Sequence, residues 1–207
     1  MEITSRLQRG ASDLGLTLSE EMVSQLELYL GLIQKWNLTY NLVGTSELKD
    51  LVHKHILDSL SLSRFVDQTP VIDVGSGAGL PGIPLAISLP DISFTLVDAN
   101  GKKVRFMRQA CIELKLTNVN IVQSRIENLD TNQLFNTVVA RAFAPLESAL
   151  DQLQAVCAPG GHVNIMLGVL PDVLPTNHNF SDIQANSINV PGLNSSRHIL
   201  VAKKYSS

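Results

Sequence analysis

Residues 70–84 read PVIDVGSGAGLPGIP, and this stretch restricts the fold more than any other in the chain. A short apolar run, Val71-Ile72-Asp73-Val74, stops at Gly75, and glycines recur at 77, 79 and 82. A run of this kind bounded by glycine reads as a buried strand. The glycines allow a tight turn with φ > 0 and let a ligand approach bare backbone. Ile83–Leu89 then reads as a short helix, whose first N–H groups would face whatever binds in the turn. Strand, glycine turn and helix together form a nucleotide-binding unit.

The pattern around this unit divides the chain. Residues 1–69 read as a helical cap, with a capping box at Thr17-Leu18-Ser19-Glu20 and a helical stripe from Met22 to Trp36. Asn37 to Gly44 reads as a polar turn, and a second long helix is expected from Ser46. His53 and His55 fall on different faces of that helix, which is poor geometry for a metal. From Pro70 strands and helices alternate: Ser93–Val97 ending in Asp98, Lys102–Leu116, Val119–Val122, Thr137–Ala140, Leu146–Val156 and His162–Leu167. Such alternation predicts an α/β, Rossmann-like domain over 70–207, built on a parallel sheet. Ile183–Val190 and Arg197–Lys203, separated by Pro191-Gly192, predict an antiparallel pair at the sheet edge. No basic leader, bilayer-length apolar run or metal-ligand cluster is apparent, so a cytoplasmic protein without membrane or metal is expected. Cys111 and Cys157 fit buried free thiols.

The glycines admit two readings. A dinucleotide fingerprint fits Gly77, Gly79 and Gly82, which leaves a nicotinamide oxidoreductase open. Gly75, Gly77 and Gly79, directly after the strand, suit S-adenosylmethionine better, because Pro81 and Pro84 crowd the later register. Asp98 ends the next strand, where a carboxylate can accept both ribose hydroxyls; it could instead cap the following helix. Ile126 could lie on an adenine face and Glu127 could bond its edge, or they could be core and solvated surface. Gly75–Gly79, Asp98, Ile126 and Arg141 all fall just past strand ends, where such sheets bind ligands.

The machinery for activating an acceptor is sparse. The fourth strand ends in Val-Val-Ala-Arg141-Ala-Phe143-Ala, not in a run that would handle an exocyclic amine, and neither cysteine sits at a strand end. That suits an atom already nucleophilic, such as guanine N7, with catalysis by positioning. The net charge of −3 gives no bulk argument for nucleic acid. Residues 101–125, however, carry six basic residues against Glu113 alone, a net +5. Arg105, Arg108 and Lys115 share a helix face, which could be a phosphate-binding surface or a solvated one. Phe143 could stack on a base or belong to the core. Arg141 is the first candidate for positioning, although it could simply pair with Glu147.

These residues resemble the bacterial ribosomal small-subunit methyltransferase G (GidB) family. The likeness lies in Lys35-Trp36-Asn37, Tyr40-Asn41-Leu42, His55-Ile56-Leu57-Asp58-Ser59, residues 72–84, Lys103-Val104-Arg105-Phe106, Arg141-Ala142-Phe143-Ala144 and Arg197-His198. The resemblance implies a class I fold and methyl transfer from S-adenosylmethionine to N7 of guanine 527 (ribosomal numbering) of 16S rRNA, on the 30S subunit or an assembly intermediate. It implies cofactor contacts at Gly75, Leu80, Ile126, Glu127 and Arg141. Two departures stand out: Met166-Leu167-Gly168 where the family commonly has Lys-Gly, and Asn41-Leu42-Val43 where it has Asn-Leu-Thr. Leu167 keeps a non-catalytic RNA- or ribosome-binding module as an alternative.

Overall fold

The computed structural model describes residues 2–129, 133–141 and 144–206. Helices α1 (Glu2–Asp13) and α2 (Glu20–Tyr40) come first. A helical run in three parts follows: α3 (Leu48–Leu51), a π-helical stretch Val52–Leu57, and α4 (Asp58–Leu60). The cap of α2 is Ser19, whose side chain accepts from the Met22 N–H at 3.2 Å, rather than the expected Thr17. Nor does α2 stop at Trp36. Asn37 stays helical and uses its side chain to organise the next loop, donating to Val43 O (3.0 Å) and accepting from Val43 N–H (2.9 Å). The helix ends one turn later at Asn41, in the left-handed conformation with φ 48°.

The sheet begins with β1 (Val71–Val74), as expected. After it come α5 (Gly82–Ser88), β2 (Phe94–Asp98), α6 (Gly101–Glu113), β3 (Val119–Gln123), β4 (Phe135–Arg141) and α7 (Leu146–Leu153). Strands β5 (Cys157–Leu167), β6 (Phe180–Ile188) and β7 (Arg197–Lys204) complete it. The order is β3-β2-β1-β4-β5-β7-β6. β1 to β5 pair in parallel, and β7 runs antiparallel to both β5 and β6. β5 starts five residues before the expected His162. Pro159-Gly160-Gly161 is carried inside the strand, with φ +75° at Gly160 and a register shift opposite Phe135/Thr137.

Alternate strand residues feed two apolar layers. On one face Val71, Leu96 and Val139 pack with Leu26, Tyr29, Leu30, Ile33, Leu57 and Phe106, so α2 and the π-helical stretch share a core with α5 and α6. On the other, Ile72, Val74, Val138 and Ala140 pack against Leu150 and Leu153 of α7. Trp36 meets the Phe106 ring edge-on at 5.5 Å. Among the described residues, no helix is long and apolar enough to cross a membrane.

Candidate active site

The strand order reverses between β1 and β4, and that switch point is where open sheets of this kind bind ligands. Val74 is paired with Ala140, which sets Gly75 beside Arg141 at the carboxyl ends of the two strands. The turn after β1 is built from backbone. Gly75 and Ser76 N–H both donate to Val97 O, at 2.8 and 3.0 Å, and Ser76 O accepts from Gly79 and Leu80 N–H, both at 2.8 Å. Such a path needs φ of +72°, +61° and +84° at Gly75, Gly77 and Gly79.

Next to this turn lies a cleft of about 200 Å³ lined by Val74, Gly75, Val97, Asp98, Ala99, residues 124–127 and Gln152. Four elements that are remote in sequence therefore meet there: the glycine turn, the end of β2, the segment after β3, and α7. Asp98 is buried, and its two oxygens accept from Gly77 N–H and Asn100 N–H, each at 2.8 Å. The cap of α6 is Asn100, which accepts from Lys102 N–H at 2.9 Å, so Asp98 is not the helix cap. Each of its carboxylate oxygens keeps a second lone-pair direction for a ligand. Lys103 Nζ stands 4.0 Å from Asp98 Oδ2. Ile126 is half-buried and Glu127 exposed on the cleft wall.

The other candidates are placed differently. Leu80 is 2% exposed, with its side chain in the apolar core. Arg105, Arg108 and Lys115 are exposed on or just past α6. Lys115 lies at the end of that helix away from the cleft, beside Ser19, Glu21 and Met22. Phe143 lies outside the described residues. Arg141 does not take Glu147 as its partner; its Nη1 faces Asp58 Oδ2 at 3.6 Å and His55 Nδ1 at 3.5 Å. His53 is engaged elsewhere, with Nδ1 2.9 Å from Pro191 O. Among the described residues, no group of His, Cys, Asp and Glu could hold a metal. Burial pushes the thiols of Cys111 and Cys157 up to about 12 and about 11, which keeps both protonated.

Sequence reasoning assigned no role to three groups here. Tyr29 of α2 is fully buried and donates its hydroxyl to Ala78 O at 2.6 Å, which ties the glycine turn to the helical residues. His55 is pushed down to about 4 by burial and then by Arg141, so it is neutral at pH 7 and accepts at Nδ1. Asp73 is fully buried on the apolar face; Gly82 N–H donates to its Oδ2 at 2.9 Å, and Oδ1 has no partner among the described residues. The first N–H of α5 therefore serves Asp73 and not a ligand. An added Cβ on Gly82 would meet Asp73 Oδ2 at 2.7 Å and Leu96 Cγ at 2.9 Å. Gly82 is therefore required by the close packing of α5 against β1 and β2.

Burial raises the Asp73 carboxyl from 3.8 to about 7 against the Gly82 hydrogen bond and Arg141. The folded chain keeps a proton that the unfolded chain releases above pH 4, so this group's contribution to stability is lost as pH rises towards 7. His55 works in the opposite sense, since its depressed value removes stability as pH falls from 6.5 towards 4. Asp73→Asn separates the two. Relative to the parent, the variant is expected to gain on the order of 4 kcal/mol between pH 4 and pH 7. Urea unfolding across that range measures it; a difference independent of pH would show an Asp73 carboxylate ionised throughout.

Comparison with known proteins agrees with this geometry. A family model described as rRNA small subunit methyltransferase G matches residues 22–200. The ribosomal RNA small subunit methyltransferase G of Nitrosococcus oceani is 42% identical over 198 residues, covering 94% of this chain and 92% of that protein. The protein of the same name from Coxiella burnetii is 37% identical over 201 residues, covering 97% and 98%. Among solved structures, the magnesium protoporphyrin IX methyltransferase of Synechocystis, determined with bound S-adenosylmethionine, superposes with a TM-score of 0.59 at 16% identity, over 85% of this chain and 97% of that one. That likeness is one of fold, a Rossmann-like α/β sheet. Matched along nearly its whole length, the chain belongs to the rRNA small subunit methyltransferase G family.

Proposed function

We propose that this S-adenosylmethionine-dependent rRNA methyltransferase modifies N7 of a guanine in 16S rRNA, guanine 527 in ribosomal numbering, within the 30S subunit or an assembly intermediate. The observation that carries the reading is the convergence of Gly75, Asp98, Ile126 and Arg141 at one end of the sheet, around its switch point. The cleft fits the adenosine half of the donor. Gly75 lines it with bare backbone, Gly77 and Gly79 hold the turn that shapes it, Asp98 offers lone pairs to ribose hydroxyls, and Ile126 and Glu127 offer an apolar face and a polar edge to adenine. Leu80 supports the turn from below. When bound, the donor supplies a methyl group on a cationic sulfur. Guanine N7 carries a free lone pair at neutral pH, so no side chain has to accept a proton, and the protein's work is alignment. Arg141, beside Gly75, is the group we assign to that positioning. Arg105 and Arg108 on the exposed face of α6, with Lys115 extending the patch and Phe143 next to Arg141, are assigned to the RNA. Residues 1–69 act as a cap that forms one compact unit with residues 70–207, joined through the shared core and the Tyr29–Ala78 hydrogen bond.

The test is transfer of a labelled methyl group to small-subunit particles lacking the modification, and to free 16S rRNA, with the product located by mass spectrometry. One methyl on guanine N7, on particles or RNA, is the expected result. Label on another atom would refute the N7 assignment. Binding without any transfer would favour the non-catalytic module for which Leu167 argues.

A further inference from the structure

The helical residues ahead of the sheet contribute a charged group to the switch point. Asp58 is 4% exposed and lies between two arginines from different strands. Arg197, the first residue of β7, donates from Nε to Asp58 Oδ1 at 3.0 Å and from Nη1 to Ser195 Oγ and Ser196 O, both at 2.9 Å. Arg141, the last residue of β4, presents Nη1 to Asp58 Oδ2 at 3.6 Å. His55, one turn earlier, stands 3.5 Å from the same Nη1.

We propose that Asp58 is a positioning residue for methyl transfer: anchored by Arg197, it holds the Arg141 guanidinium in place beside the glycine turn. The assignment rests on the role given to Arg141 above. The geometry is asymmetric in the way such a role requires. Arg197 is locked by three short hydrogen bonds, whereas Arg141 is held by charge and by the neutral imidazole, with no bond below 3.5 Å to either. Asp58 thus takes its own place from Arg197 and passes it to Arg141. Stability alone does not account for the arrangement. Replacing buried ion pairs with apolar groups of similar volume is often neutral or stabilising, because desolvation offsets the attraction. The local backbone points the same way. Asp58 N–H bonds to His53 O and His55 O where the π-helical stretch meets α4, and π-turns inside α-helices are frequent at functional positions. Ser59 Oγ donating to His55 O and Ser61 Oγ donating to Asp58 O, both at 2.6 Å, pin the segment in place. Two guanidinium groups against one carboxylate leave an excess positive charge at the strand ends, suited to an anionic group of donor or RNA.

The test uses the purified full chain. Asp58→Asn removes the charge, and Asp58→Glu keeps it but moves it by one methylene. Calorimetry with S-adenosylhomocysteine, kcat and KM on small-subunit particles, and thermal unfolding are measured for each. Asp58→Asn is expected to lower kcat about 30-fold, less than the roughly hundredfold of losing an aligned donor itself, because Asp58 acts through Arg141, with cofactor affinity within threefold of the parent. In an Arg141→Ala background the same change is expected to cost less than twofold, since Asp58 acts through Arg141. Asp58→Glu, which preserves the ion pairs needed for folding, is expected to lower kcat at least threefold without shifting the unfolding temperature. Full kcat in Asp58→Glu, or an Asp58→Asn loss equal in both backgrounds, overturns the proposal. If the parent itself transfers no methyl, the functional reading fails instead. Arginine side-chain nitrogen NMR then decides on Asp58: slowly rotating Arg141 Nη signals in the parent and averaged ones in Asp58→Asn support it, and averaged signals in both overturn it.

Discussion

Gly79→Ala is expected to abolish measurable cofactor binding at micromolar ligand. Gly79 holds φ +84°, where a side chain costs roughly 1–2 kcal/mol. A Cβ there would also run into the Ile83 side chain, with Cγ1 at 2.8 Å, just where α5 leaves the turn and Ile83 N–H bonds Gly79 O. Ile83 is itself fully buried, so the expected relief is a shift of Ser76–Leu80, and with it Gly77, whose N–H holds Asp98. A combined cost near 3 kcal/mol corresponds to about a hundredfold in affinity. Gly15→Ala is the control. Its φ of +80° carries similar strain, but nothing lies within 4 Å of the added carbon and the residue does not line the cleft. It should lower the unfolding temperature and leave calorimetric affinity unchanged. Cofactor binding by Gly79→Ala within threefold of the parent would show that the turn conformation does not matter for the ligand.

Arg141→Ala is expected to lower kcat for methyl transfer by about two orders of magnitude, the scale seen when one preorganised donor is removed. The loss should fall on kcat more than on KM for the particle, because the RNA contacts assigned to α6 remain. Arg141→Lys should recover little. An ammonium is a point charge that, facing Asp58 and His55, keeps a single N–H for a ligand, whereas the guanidinium keeps Nη2 and Nε in a planar fork. A variant that binds cofactor and transfers methyl as well as the parent would remove Arg141 from the site.

The parts of this molecule visible in the sequence are those set by local chemistry. β1 and the glycine turn follow from an apolar run broken by glycine, the positions of β2 to β4 follow from short apolar runs alternating with helical stretches, and the structure keeps them within a few residues. The misreadings occur where side chains act over a distance. Asn37 looks like a turn residue until Val43 is seen to occupy its amide. β5 begins before the expected His162 because the bulge opposite β4 takes residues 157–161 into the strand. Asp98 could be assigned to a strand end, yet its bond to Gly77 depends on the turn folding back over β2. The Asp58 cluster was the least accessible. Its members are separated by 86 residues in one pair and 139 in another, and nothing near Arg141 in the chain marks Asp58, rather than Glu147, as its partner.

β7 has a consequence for how the chain is made. It is the last strand in the sequence, yet it is inserted between β5 and β6 and is not added at the border. Until residues 197–204 are synthesised, β6 has no neighbour, β5 presents an open ladder, and Asp58 lacks the arginine that anchors it. A nascent chain halted before that point therefore exposes unpaired strand edges to other chains, and its helical first third carries a buried carboxylate with incomplete compensation. Assembly of the sheet and completion of the charged cluster become a single late event.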